Sequence, residues 1–391
     1  MAGTSGTPGT PSVLRAMNDR AALDLLVAHG PLTRTRIGEL TGLSKPTTSQ
    51  ILGRLEAAGL VRTTGSQSGR PGPNAVLYEI RPAAAHVAAL SADPTGITAV
   101  VADITGTERG RCRIEAEAVA QDVRNRTAQL VTEAVDGALR EAALGHDDLT
   151  ATVIGTPGAI DPGTGRLRYA PHLPGWHSRT LRGELTEVLG TPVSIENDVN
   201  LAAVAEQYEG AAQDHDDFVL AYVDEGVGAA IVLGGVLLRG ATGGAGEIGY
   251  MPLPGAPLAR GGDAVAARTD AGGGFQSLVA APAVRALAEG ARDVTEALAR
   301  DDVLDEVARR LATGLAAVVA VVDPQLVVLS GQVAKAGGDA LRARVEAELT
   351  GLALPRPELR VSELTGDPIL TGALRTALTQ ARDTVFDTSG A

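Results

Sequence analysis

The chain is poor in aromatic residues. Phe, Trp and Tyr together make up 2% of its 391 positions. Its interior must therefore be built from Ala, Val and Leu, which belong to the 44% hydrophobic fraction. Cys112 is the sole cysteine, so an intrachain disulfide and a cysteine-rich zinc site are both excluded. No apolar run approaches the roughly 18 residues that a membrane helix needs. The first residues, MAGTSGTPGTPS, have no charged segment leading into an apolar one, so they do not read as a secretion signal. Their small, turn-forming composition predicts a disordered leader over 1–14. Together these absences predict a cytoplasmic location.

Charge is unevenly distributed. The whole chain carries -13, but residues 1–80 hold 8 basic and 5 acidic side chains, a net +3. The remainder carries -16. A small basic module precedes a large acidic one, so phosphate contact is expected of the first and not of the second.

Within the basic module, NDRAALDLLVAH (18–29) sets Ala22, Leu25 and Leu26 on one helical face, and Gly30-Pro31 ends the helix. Thr33 is placed to cap a second helix with Ile37 and Leu40 inward. TGLS, with Gly42, is a tight turn. Ser44 then caps a third helix in which Pro46 occupies the first turn and Ile51 and Leu55 face the core. Ser44, Lys45, Thr47, Thr48, Gln50 and Arg54 are the candidate DNA contacts, because short polar and basic side chains at a helix start reach base edges and phosphates in a major groove. LVRTTGSQSGRPGPNAVLYEI reads as strand, glycine-rich tip and strand, which makes a wing. Arg70 at its tip is placed for a minor groove. The module at 15–81 therefore reads as a winged helix-turn-helix, mainly α with a β wing. A helical adaptor with no DNA role is the bland alternative.

From about Ala83 the pattern becomes α/β. Three apolar strands precede a helix near 125–143. ATVIGTPGAID and PVSIENDVN each read as a strand ending in polar or glycine residues. FVLAYVDEGVGAAIVLGGVLLRG reads as strands around glycine turns, and long Ala/Leu/Arg helices flank the strand VVLSG. This order fits two α/β lobes around a cleft.

The ordered series GTPGAID (155–161), APHLPGW (170–176), IENDVNLAAVAE (195–206), DEGVGAAIVLGG (224–235), RGATGGAGEIGYM (239–251) and DPQLVVLSG (323–331) resembles the ROK family of repressors and sugar kinases. Together with the N-terminal module, the resemblance covers nearly the whole chain. It implies an actin-like, ATPase-type two-lobed fold over 82–391, serving ligand sensing and oligomerisation. It also implies a site formed by Gly158, Asn197, Asp198, Glu247 and Tyr250. In family kinases the residue matching Asp198 takes a proton from the sugar hydroxyl, and the one matching Glu247 contacts sugar hydroxyls. Read without the resemblance, Asn197-Asp198 is a helix cap, Glu247 a solvated loop acid and Gly158 a simple turn. Trp176 reads first as packing and second as part of a ligand mouth, and His172 and His177 beside it read as structural.

Two departures shape the functional reading. The family's Asp-x-Gly-Gly-Thr phosphate loop is ADPTGIT (92–98) here, without paired glycines. The zinc segment, typically a His at position 250 followed by three cysteines, has Tyr250 and a stretch over 251–276 with no cysteine or histidine. No zinc and no other cofactor are therefore expected. The expected function is that of a DNA-binding transcriptional regulator, a repressor, that binds duplex operator DNA as a homodimer or homotetramer. A sugar, sugar derivative or other metabolite in a degenerate sugar-kinase-like cleft would control it. The alternatives are an ATP-dependent sugar kinase with an added DNA module and a regulator whose large domain only oligomerises. Arg70→Ala is expected to weaken binding to a selected operator duplex roughly threefold to tenfold at physiological salt, read by fluorescence anisotropy. An unchanged affinity removes the wing tip from the interface.

Overall fold

The computed structural model describes residues 11–67, 75–115, 123–161, 163, 167–168, 176, 180–258 and 273–387. Helix α1 (Pro11–His29) starts four residues inside the span read as a leader. It is followed by β1 (Leu32–Thr33), α2 (Arg34–Thr41), α3 (Lys45–Ala57), β2 (Val61–Gln67) and β3 (Ala75–Ile80). The strands form a small sheet in the order β1-β3-β2. The caps fall where the side-chain chemistry places them. Thr33 accepts from Arg36 N at 3.2 Å, Ser44 accepts from Thr47 N at 3.3 Å, and Gly42 turns the chain with φ 71°. Leu23, Leu26, Ile37, Ile51, Leu52 and Leu55 are buried between the helices. Two expectations need correction. Leu40 lies on the outer side of α2 and is exposed, and Leu25 is only half-buried while Leu23 fills the core. The inward arc of α1 is centred one residue earlier than the pattern indicated.

The first lobe opens with three antiparallel strands, β4 (His86–Asp93), β5 (Gly96–Asp103) and β6 (Glu108–Glu115), then helix α4 (Val123–Ala142). Strand β7 (Leu149–Thr156) adds parallel to β4. The short pair β8 (Ala159–Ile160) and β9 (Leu167–Arg168) follows, then α5 (Leu181–Leu189) and β10 (Val193–Asn197), parallel to β7. The sheet order is β10-β7-β4-β5-β6. Helices α4 and α5 cover one face, where Trp176 is buried in the core.

Helix α6 (Asp198–Glu209) leads to the second lobe. Here β11 (Phe218–Val223), β12 (Val227–Leu233) and β13 (Val236–Leu237) form an antiparallel run. Helices α7 (Gln276–Val279), α8 (Ala281–Leu287), α9 (Val294–Leu298) and α10 (Asp301–Val322) precede β14 (Leu326–Ser330). Helix α11 (Gly331–Leu352), kinked at Gly338, and β15 (Glu358–Val361) complete the order β13-β12-β11-β14-β15. Helix α12 (Pro368–Val385) returns to the first lobe.

Helix α6 belongs to both lobes. Leu201 packs with Leu370, Ala373 and Ala377 of α12 against the first sheet. Val199, Ala202 and Ala203 pack against Phe218, Leu220 and Ala230 of the second. Small side chains let both layers approach one helix. The approach is closest at Gly372 of α12, where a Cβ would collide with the Leu201 carbonyl oxygen. At its other end α12 joins the DNA module: Phe386 and Ile104 share a core with Leu23, Leu26 and Ile80. Arg20 of α1 pairs with Asp383 at 2.9 Å and lies 5.7 Å from the Phe386 ring centre. Gly372→Ala is expected to destabilise the chain by about 1–3 kcal/mol, the usual range for overpacking, read as a lower denaturant midpoint at unchanged slope.

Candidate DNA interface and effector cleft

The outer surface of α3 begins with Ser44, Lys45 and Pro46, all exposed, and continues through half-buried Thr47 to exposed Gln50. Thr48 is the exception. It is fully buried and its hydroxyl donates to the Ser44 carbonyl at 3.1 Å, so it belongs to the core and not to the DNA face. Arg54 is held by the buried carboxylate of Asp19, with Nη2 to Oδ1 at 2.5 Å. Asp19 lies on α1, so the pair clamps α1 to α3. Arg70 lies outside the described residues. One contributor escaped the sequence reading: Arg34 at the start of α2 donates to Ser49 Oγ of α3 at 2.9 Å, which sets a guanidinium beside the polar face. Its signal was the pair of arginines directly after the Thr33 cap.

The cleft residues converge on the first turn of α6. Asn197 ends β10 and caps α6: its Oδ1 accepts from Asn200 N at 3.0 Å, and its amide donates to the Gly158 carbonyl at 3.1 Å. Both halves of the amide are thus used in building the site, and Asn197 positions the loop at Gly158, whose φ of 96° requires glycine. Glu196 accepts from Asn197 N and Asn200 Nδ2, both at 2.9 Å, and pairs with Arg239 at 2.7 Å. Asp198 accepts from Val199 N at 2.8 Å.

Glu247 reaches the same place from the second lobe. A Cβ on Gly228 would lie 3.1 Å from Val199, so the start of α6 sits on β12. The neighbouring Ala229 donates to the Gly246 carbonyl at 2.8 Å, and only a glycine at 246 allows that approach. The loop carrying Glu247 and Tyr250 is thereby laid beside Asp198. Burial pushes the Asp198 carboxyl up to about 6, with the charge of Asp224 adding to it. Burial likewise pushes Glu247 up to about 7, with the charge of Asp198 adding to it. Asp224, at the end of β11, is held by Gln332 Nε2 at 2.5 Å.

The turn matching the family's phosphate loop is a tight hairpin between β4 and β5. Asp93 Oδ1 accepts from Thr95 N at 2.6 Å, Thr95 Oγ1 at 2.5 Å and Gly96 N at 3.0 Å. The donors at its tip are therefore satisfied by the turn's own carboxylate. The stretch over 251–276 has no cysteine or histidine to supply the four ligands of structural zinc, so the residues present do not fit that site. Residues 259–272, 172 and 177 lie outside the described set. Among the described residues no helix is long and apolar enough to cross a membrane.

Residues 94–375 match the ROK family, and residues 18–70 match the MarR family. The chain belongs to the ROK family. It combines a ROK unit, which the motif series implied, with a winged helix of MarR type, where the N-terminal residues predicted a winged helix-turn-helix. It is 30% identical to a glucokinase of Halalkalibacterium halodurans over 62% of this chain and 82% of that protein. It is 25% identical to the DNA-binding transcriptional dual regulator NagC of Escherichia coli over 63% of this chain and 59% of that one. The crystal structure of a ROK family transcriptional regulator, a homologue of the E. coli MLC protein, aligns over 96% of this chain and all of that one. Its TM-score is 0.73 at 20% identity, which establishes the shared fold.

The raised carboxyls carry a cost in stability. A carboxyl whose folded pKa exceeds its unfolded one is favourably protonated at low pH, and that stability is lost as pH rises through the folded value. Glu247→Gln is therefore expected to raise the melting temperature at about pH 8 and leave it nearly unchanged at about pH 3, below both the unfolded and the folded value of the carboxyl. Equal shifts at both would place the effect in packing and not in charge.

Proposed function

We propose that the protein is a transcriptional repressor whose grip on operator DNA is set by a small molecule bound between the lobes. The observation that carries this reading is the continuity from cleft to DNA module. Asp198 opens α6, α6 is packed without clearance on α12 at Gly372, and α12 ends against α1 through Phe386 and the Arg20–Asp383 pair. A ligand that alters the setting of α6 between the lobes moves a rod that bears on the DNA module.

At the interface, Ser44, Lys45, Thr47 and Gln50 read the major groove, with Arg34 on the adjoining phosphate and Arg70 at the wing. Arg54 acts through its clamp on Asp19. Two copies present two such modules to a pseudo-palindromic site. In the cleft, Asp198, Glu247 and Tyr250 contact the effector, and Gly158 and Asn197 form its wall. A sugar or sugar derivative suits this donor and acceptor set. Linkage between the two sites is worth about 1–3 kcal/mol, and it is reciprocal.

Phosphoryl transfer is disfavoured. The hairpin at 93–96 presents a carboxylate where a phosphate cradle needs free backbone donors. The kinase reading keeps one specific support, an Asp198 carboxyl raised to about 6, which suits a general base. A coupled assay with ATP and a hexose panel separates the two. No turnover is expected, and turnover abolished by Asp198→Asn would establish the kinase.

For the regulator, Asp198→Ala is expected to keep operator affinity within about threefold of wild type and to lose release by any sugar or amino sugar that frees the wild type. Electrophoretic mobility shift with such a panel reads both. Normal release in the variant would separate the effector from this cleft.

A further inference from the structure

The inner side of α3 is fixed by Thr48, Ile51, Leu52 and Leu55, which are buried. At about 100° per residue the opposite side runs through Pro46, Gln50, Gly53 and Ala57, and all four are exposed. Of these four, Gln50 is the one whose side chain carries hydrogen-bonding groups. Its amide has no partner among the described residues.

The other polar side chains around it are engaged within the module. The Ser44 and Thr47 hydroxyls bond to each other at 2.8 Å, and Ser44 also accepts from Thr47 N, so the two set the helix start. Ser49 donates to the Lys45 carbonyl at 3.0 Å and accepts from Arg34 at 2.9 Å. Arg54 is held by Asp19. Lys45 and Ser49 are one turn apart, so the Lys45 ammonium and the Arg34 guanidinium flank the outward line on one side, where a phosphate strand is accommodated. Glu56, exposed in the last turn, repels phosphate there, which leaves the first half of the helix to enter a groove.

Gly53 is an independent mark on the same line. Its φ is not in the left-handed region, and a Cβ on it would meet no described atom within 4 Å. Nothing inside the module calls for glycine in the middle of this helix, where alanine is more stable. Its effect is to keep the outward line low beside Gln50, so that a surface from outside can come close to the backbone.

We propose that Gln50 is the base-reading residue of α3 and selects an adenine in each half-operator, with Gly53 giving the duplex the clearance that brings this base within reach. This rests on the reading of the first module as a DNA binder and names what its helix recognises. The amide of glutamine sets one acceptor beside one donor. In the major groove adenine offers the matching pair, its N6 amino donor next to its N7 acceptor. Guanine presents two acceptors there, so the amide satisfies one of them. Cytosine presents one donor, and thymine one acceptor beside a methyl group, so neither accepts the amide bidentately.

Selection of duplexes from a randomised library by the full chain, followed by fluorescence anisotropy on single-pair variants of the recovered site, tests the assignment. Gln50 is exposed and unpaired, so its replacement leaves the fold intact. The wild type is expected to enrich a site with one position in each half where an A·T pair is preferred about tenfold over the others. Gln50→Ala is expected to erase the preference at that position alone and to keep affinity for random duplex within about threefold. Gln50→Arg is expected to move the preference there to guanine, because a guanidinium brings two donors to two acceptors. Gly53→Ala is expected to weaken binding to the selected site while its thermal midpoint holds level or rises. If the position sensitive to Gln50→Ala favours a pair other than A·T, or if that variant selects the wild-type site unchanged, the assignment is overturned and the DNA-binding reading stands. Unchanged affinity in Gly53→Ala overturns the clearance role. A wild-type chain that enriches no sequence overturns the assignment and the repressor reading together.

Discussion

Helix α6 is the constraint on which the molecule depends. It is a single helix with two hydrophobic faces, one closing the first lobe through Leu201 and the other closing the second through Val199, Ala202 and Ala203. Two layers reach it because its side chains are small, and at Gly372 the neighbouring helix meets its backbone directly. Interiors packed this closely do not deform gradually, so a displacement of α6 has to be passed on. The cleft residues stand at its N-terminal end, where Asn197 caps it and Asp198 opens it. The candidate cleft residues and the helix packed between the two sheets are consecutive in the chain.

The same economy governs the charges. Glu196 is tied to Asn200 and Arg239, Asp224 to Gln332, and Asp93 to its own turn. Asp198 likewise accepts from Val199 N, so of the acids at the cleft only Glu247 has no hydrogen-bond partner for its side chain among the described residues. The candidate cleft is therefore marked by two carboxyls held above their ordinary range, Asp198 at the start of α6 and Glu247 on the loop laid beside it.

Much of this was readable in the residues, and the failures have identifiable causes. The caps at Thr33 and Ser44, the left-handed Gly42 and the cap at Asn197 follow from local chemistry that needs no tertiary context. The strand and helix order of both lobes followed from periodicity, and the motif series identified the family. Thr48 was misassigned because its type is polar, whereas its hydroxyl is satisfied by the Ser44 carbonyl within its own helix and its methyl is free to enter the core. Leu40 was misassigned for the opposite reason: an apolar type at an inward spacing, on a helix too short to bury both of its apolar positions. The pairing of Arg54 with Asp19 was not legible because the two lie 35 positions apart. The double role of α6 left no periodic signal, since a helix buried on two sides shows small residues all round and not a stripe.

The Asp19–Arg54 clamp has a consequence for how regulation would be read out on DNA. Because α1 and α3 are bolted together beneath their polar face, the base-reading surface is not free to reshape when α12 shifts. Under the proposed regulation the module would swing as one block. Such a device would leave the letters recognised within each half-operator untouched and would change only the gap between halves that a pair of modules can straddle.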